Sequence, residues 1–142
     1  MKIITYNDQL HRAQVASLWN EVFPYTSPQS RPDVIIDKKI IHADDLFFVM
    51  VEGSALIGTI IAGYDGHRGW LYSLCVATKY QKKGVGSALV EFAETALIRL
   101  GCVKINLQVV SENAQVVRFY EKRGYKTEPR ISMGKLIGAN LP

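Results

Sequence analysis

The sequence predicts an α+β fold, with one mixed and mostly antiparallel central sheet of about six or seven strands flanked by about four helices. Three observations carry that expectation. β-rich runs follow one another from Leu46 to Val76, a helical apolar stripe runs from Val85 to Leu100, and the 142 residues show no composition break or internal repeat, so residues 1–142 read as one domain. With 48% hydrophobic and 21% charged residues the chain has the balance of a globular protein. A chain of this size buries roughly 70% of its unfolded surface, so it needs neither a disulfide framework nor a structural metal.

In chain order, Ile3 to Tyr6 reads as a short strand. Asn7 and Asp8 then cap a helix reaching Phe23, with Leu10, Ala13, Leu18 and Val22 near helical spacing. Pro24, Pro28 and Pro32 bracket an irregular connector, and a second helical pattern runs through Val34, Ile35, Lys38 and Ile41. LFFVMVE and ALIGTIIAGYD, separated by Gly53 and Ser54, read as an antiparallel hairpin, and Trp70 to Val76 adds a third strand after the turn at Asp65 and Gly66. Val85, Leu89, Phe92, Ala96 and Leu100 fall at helical steps, with Gly101 as the stop. Lys104 to Val110 alternates as a strand, Asn113 caps a short helix to Arg123 closed by Gly124, and two short β-like pieces run from Tyr125 to near Leu136.

Several function classes fall away on composition. The N-terminus has no apolar core or small-residue cleavage site of a secretory signal, and the apolar runs are far shorter than the roughly 20 residues of a membrane helix. Cys75 and Cys102 lack metal spacing to each other or to His11, His42 and His67, and read as reduced buried thiols of a cytoplasmic protein, with no metal expected. The net charge of +4 suits an anionic ligand but is too mild to announce a nucleic-acid binder, and no RNA motif with stacking aromatics is visible, so no nucleic-acid partner is expected.

The chemistry concentrates in YSLCVATKYQKKGVGSALVEFA, where a β-run passes through Tyr80 and Gln81 into Gly84 and Gly86 at the mouth of the strong helix. Strand, glycine turn and helix make an anion site: the backbone can approach a ligand, and first-turn amides with the positive dipole end favour phosphate. The glycines could equally be plain helix caps. No Gly-Lys-Ser/Thr comes after them, and GxGxxG is absent, so neither ATP nor a dinucleotide is implied.

Gln81, Gly84 and Gly86 stand in the QxxGxG pattern of motif A of the GNAT superfamily of acetyl-CoA-dependent N-acetyltransferases. NAQVVRFYEKRGY, Asn113 to Tyr125, resembles that family's motif B. The likeness covers essentially the whole chain, and the GYDGHRG run resembles the bacterial YpeA-like subgroup most. The resemblance implies an acetyl-CoA-dependent N-acetyltransferase that moves an acetyl group to a primary amine by direct attack in a ternary complex. The acceptor is a small amine, an amino acid or a protein N-terminus; the alternative is an acetyl-CoA-binding module without activity.

By that resemblance the pyrophosphate of coenzyme A lies on the amides of Lys82, Lys83, Gly84, Val85, Gly86 and Ser87, and the pantetheine arm pairs with Leu74, Cys75 and Val76. Lys82 or Lys83 reaches the phosphates or is an ordinary surface charge. Asn113 contacts the coenzyme arm, caps its helix, or does both. The Val76 amide donates to the thioester carbonyl. Tyr120 matches the tyrosine that serves the departing thiolate, although proton transfer from a phenol to a thiol is uphill by roughly 2 kcal/mol at reference pKa values; packing under the helix is the other reading. Gln108 stands where one branch of the family has a glutamate, and glutamine cannot act as a base. Glu112, Asp65 and His67 are then the nearby candidates for that task. Tyr25, Asp65, His67, Trp70 and Gln108 are the candidate acceptor-binding residues, on loops or beside the motifs. Many relatives pair, so a homodimer is the family expectation.

Overall fold

The structure, a computed structural model, describes residues 1–23 and 27–138. It forms two compact units, Met1–Leu107 and Gln108–Pro142. The first holds a five-stranded sheet in the order β1-β2-β3-β4-β5, formed by β1 (Lys2–Thr5), β2 (Phe47–Glu52), β3 (Ala55–Tyr64), β4 (Gly69–Val76) and β5 (Ile105–Leu107). Every neighbouring pair is antiparallel except β4 with β5. A parallel pair needs a crossover, and α3 (Val85–Arg99) supplies it. The unit also holds α1 (Asp8–Val22) and α2 (Pro32–His42), and the second unit holds α4 (Ala114–Glu121).

The sheet is covered on both faces, which is why β2 reads FFVMV without polar alternation. Phe47 stacks between Tyr6 and Trp19 on one face, while Phe48 meets Phe92 of α3 edge-on across the other. The core under α1 and α2 gathers Val15, Leu18, Trp19, Ile36, Phe47, Val49, Ile61 and Cys75. On the α3 side the helix lies so close that an added Cβ at Gly58 would meet Leu89 Cδ1 at 2.9 Å, and one at Gly69 would meet Leu97 Cδ1 at 2.9 Å. Two glycines in the sheet therefore set how near α3 can sit.

Four expectations change. The sheet has five strands among the described residues rather than six or seven: residues 125–138 form no strand, and Ile131, Met133 and Ile137 stay about nine-tenths exposed. Their β-propensity finds no packed face, which is what such propensity measures. The strand expected over Lys104 to Val110 shortens to Ile105–Leu107. In α1 the buried face is His11, Val15, Leu18 and Trp19, leaving Leu10 70% exposed. Histidine is not counted among hydrophobic residues, yet His11 is buried here with its ring Nδ1 accepting the Asn7 backbone N–H at 2.9 Å, and burial lowers its pKa. In α3 the buried face is Val85, Leu89, Val90, Ala93 and Leu97, while Leu100, expected on it, is 53% exposed.

Candidate active site

β4 is irregular where the glycine motif begins. Ile61 pairs with Tyr72, but Thr59 pairs with Cys75, so one residue too many lies on β4 between two pairs. Ser73 in that bulge has φ +52°, a left-handed backbone that a non-glycine residue rarely adopts. Thr59, wholly buried, donates its hydroxyl to the Ser73 carbonyl at 2.9 Å and accepts the Trp19 indole N–H at 2.8 Å.

The parallel ladder with β5 ends at Leu71↔Leu107, whereas pairing with β3 continues to Gly58↔Val76. Ala77 N–H donates to the Ile57 carbonyl at 2.9 Å, which makes Ile57 and Ala77 a hydrogen-bonded pair. The neighbouring pair Gly58 and Val76 then turns the Val76 N–H and C=O away from β3. The Gln81 side chain confirms that direction by donating Nε2 to the Val76 carbonyl at 3.0 Å. The motif glutamine thus ties the glycine loop to the strand end, with the Val76 N–H beside it on the same edge.

Beyond a single 3-10 turn at Thr78–Tyr80, the loop takes left-handed steps at Lys82 (φ +62°) and Gly84 (φ +84°). The first intrahelical bond of α3 runs from Ala88 N–H to the Gly84 carbonyl at 3.1 Å, so the amides of Val85, Gly86 and Ser87 precede any intrahelical acceptor. No side chain caps this end and its first turn has no acidic residue. An added Cβ at Gly84 would meet nothing within 4 Å, so the loop opens onto free space. An anion with several oxygens fits such a cradle. Lys79 and Lys83 flank the Tyr80 ring, their ammonium groups 5.5 and 5.7 Å from its centroid. A hydrogen bond to Glu52 raises the pKa of the Tyr80 phenol.

Of the remaining expected residues, Leu74 and Val76 are half-buried at the strand end, while Cys75 is 2% exposed and its thiol is pushed up to about 12 by burial and then by the charge of Glu21. Asp65 is a turn residue: its carboxylate accepts the N–H groups of His67 at 2.8 Å and Arg68 at 2.7 Å and the Trp70 indole N–H at 3.3 Å. Those bonds hold its pKa below the usual carboxylate range. His67 is exposed in the same turn, and Trp70 is half-buried. Tyr25 lies outside the described residues.

In the second unit Asn113 caps α4, its side chain accepting the Val116 N–H at 3.3 Å. Tyr120 is 7% exposed, with its ring edge-on to Phe119 and Tyr125 at 5.1 and 5.4 Å. Burial pushes its phenol up to about 12, against a smaller opposing pull from Arg123. Gln108 is exposed and donates its amide to the Ser132 hydroxyl, and Glu112 accepts from Ser111 at 3.3 Å.

Trp19, Thr59 and Glu21 were not among the residues expected from the sequence. A lone threonine inside the apolar run LIGTIIA was the available signal for Thr59. Glu21 carries no motif; it borders a cleft of about 310 Å³ lined also by Gln14, Ser17, Leu56 and Ala77, and its carboxylate accepts the Thr78 hydroxyl at 3.4 Å.

Comparison with known proteins identifies the family. Residues 12–125 match the family described as acetyltransferase (GNAT). An acetyltransferase of Yersinia enterocolitica is 37% identical over 124 residues, 87% of each chain, and one of Pectobacterium atrosepticum is 38% identical over 123 residues, 87% of this chain and 86% of that one. The PaiA N-acetyltransferase of Thermoplasma acidophilum, solved in complex with coenzyme A, superposes with a TM-score of 0.71 over 92% of both chains at 20% identity, a likeness of fold. The chain belongs to the acetyltransferase (GNAT) family and is an enzyme of the N-acetyltransferase class.

Proposed function

We propose that the protein transfers an acetyl group from acetyl-CoA to a primary amine by direct attack within a ternary complex. The observation that carries this reading is the joined arrangement at the end of β4: an outward N–H at Val76, the Gln81 tie, and the uncapped amides of Val85 to Ser87. The donor supplies an activated thioester with a stable leaving group. The chain's own amides from Lys82 to Ser87 hold its phosphates, with Lys82 and Lys83 as point charges. The outward edge of Leu74, Cys75 and Val76 extends the sheet to the pantetheine arm, and the Val76 N–H polarises the acyl carbonyl.

The amine nitrogen attacks the acyl carbon, a C–N bond forms, the C–S bond breaks, and the nitrogen loses a proton to solvent. Tyr120 is assigned the hydrogen bond to the departing sulfur and Asn113 a contact to the coenzyme arm, both on the motif match and on their own surroundings. Both cysteines are buried, and the raised Cys75 thiol supports a route without an acetyl-cysteine. Two free buried thiols also suit a cytoplasmic location. Within the family we place the chain near the bacterial YpeA-like subgroup, on the GYDGHRG run.

Initial velocities with acetyl-CoA and a panel of polyamines, amino acids and peptide N-termini test the reaction. Release of CoA that depends on one amine class, with intersecting reciprocal plots, is expected. Parallel plots would mean a covalent acetyl-enzyme, and binding without turnover for any amine would mean a coenzyme-binding module.

For the acceptor we assign Glu21, whose exposed carboxylate at the cleft beside Ala77 attracts an ammonium group. Glu21→Gln is expected to raise the acceptor KM about three- to tenfold with acetyl-CoA affinity unchanged. An unchanged acceptor KM would remove Glu21 from the acceptor site. His67 and Trp70 offer a second acceptor-facing surface; Asp65 serves it by holding their turn.

A further inference from the structure

We infer that Trp19 and Thr59 are positioning residues that lock the bulge in β4 and thereby decide which backbone N–H reaches the coenzyme edge, an inference that rests on the acetyl-CoA reading above. The chemistry fixes the direction of the chain of bonds. An indole N–H can only donate, so the Thr59 oxygen is the acceptor in the 2.8 Å contact with Trp19 Nε1. A threonine hydroxyl has a single proton, and that proton is left for the Ser73 carbonyl 2.9 Å away. Trp19 is 2% exposed and Thr59 is 0% exposed, so no water competes for either bond.

The lock has something to hold. A non-glycine residue at φ +52° is strained by about 1 kcal/mol or more and persists only where its surroundings over-determine it. The bulge also reverses the facing of the strand beyond it. Gly69 lies against Leu97 of α3, and Leu71, two residues on, shares that face. In an unbroken strand Cys75 would share it too. Cys75 instead packs in the core with Trp19, Ile36 and Phe47 on the opposite face. The extra residue has flipped the faces downstream, and with them the alternation of N–H groups between the two strand edges. The Val76 N–H points away from β3 only while the bulge stays at Ser73. Releasing the Ser73 carbonyl lets β4 slip toward regular pairing and turns that N–H inward.

The test compares Thr59→Val, which keeps the shape and removes the hydroxyl, with Thr59→Ser, which keeps the hydroxyl. Binding of acetyl-CoA is measured beside binding of adenosine 3′,5′-bisphosphate, which carries no pantetheine arm and so reads the nucleotide contacts alone. Thr59→Val is expected to weaken acetyl-CoA about tenfold and leave the bisphosphate within about twofold, with faster amide hydrogen exchange at Leu74 to Val76, and Thr59→Ser is expected to restore acetyl-CoA binding to within about threefold. A folded Thr59→Val protein that binds both ligands as the wild type does, or loses both equally, overturns the inference. Should Thr59→Val fail to fold, Trp19→Phe leaves the Thr59 hydroxyl unoriented and is expected to weaken acetyl-CoA about threefold with the bisphosphate unchanged; no change there overturns the inference as well. A wild type that binds neither ligand would instead sink the acetyl-CoA reading, and exchange at Leu74 to Val76 in the Thr59 variants would then decide the lock by itself.

Discussion

Replacing Tyr120 by phenylalanine is expected to lower kcat about a hundredfold while leaving acetyl-CoA affinity within about twofold. The ring is held edge-on between Phe119 and Tyr125, contacts that phenylalanine keeps, so the change isolates the hydroxyl. With the phenol pushed up to about 12, full proton transfer to a thiolate of reference pKa about 8.5 is uphill by roughly 5 kcal/mol. The contribution is therefore a hydrogen bond that strengthens as charge gathers on sulfur, with proton transfer completed late or by solvent. The direction of the shift has two consequences for pH dependence. The hydroxyl stays protonated across the working range, so kcat should show no descending limb below pH 10 that the phenylalanine variant abolishes. The folded pKa of about 12 lies above the unfolded value of about 10, so the stabilisation is complete below pH 10 and is lost as pH rises from 10 toward 12. Over that window the wild type should lose stability relative to the phenylalanine variant, whose melting carries no such titration. An unchanged kcat would instead make Tyr120 a packing residue, and equal losses in kcat and in coenzyme affinity would move its hydroxyl from the departing sulfur to coenzyme binding.

The other large effect is expected at Gly84. Gly84→Val should weaken acetyl-CoA by about 10- to 100-fold with the helices and sheet intact. A collision inside the protein is not the cause, because an added Cβ meets nothing within 4 Å. The cause is φ +84°, which a β-branched residue can hold only under strain, so the loop relaxes and the amides ahead of Val85 lose their common aim. Gly84→Asn separates the two explanations, since asparagine tolerates a left-handed backbone and should lose much less than valine. Equal losses for the two would point to the space in front of the loop, filled by any side chain.

How far the sequence reached can be judged from particular residues. The order of strands and helices, the Asn7 and Asn113 caps and the glycine loop were legible because each rests on local spacing or cap chemistry. The facing of α1 and α3 was not, since a polar residue, His11, is buried with its ring nitrogen on a backbone N–H, and Val90 and Ala93 take the buried face of α3 while Leu100 stays exposed. Motif spacing located Gln81, but only the register of β3 on β4 explains what it does, holding the Val76 carbonyl beside an outward N–H. The bulge at Ser73 and the Trp19–Thr59 chain that meets it were illegible, because they join residues 40 apart in sequence. The expected strands after Tyr125 failed for the complementary reason: alternation is visible in sequence, while the face it would pack on is not.

Thermal melting of the wild type and Gly84→Val with acetyl-CoA, CoA, ATP and NAD shows whether acetyl-CoA is held on the Gly84 loop. A ligand at 100 times its dissociation constant stabilises by about 2.7 kcal/mol, which raises Tm by about 5 to 10 °C in a chain of this size. Such a rise is expected for the wild type with acetyl-CoA and CoA alone, and a much smaller one for Gly84→Val at the same concentrations. No rise with either CoA species, or an equal rise in the valine variant, would contradict it.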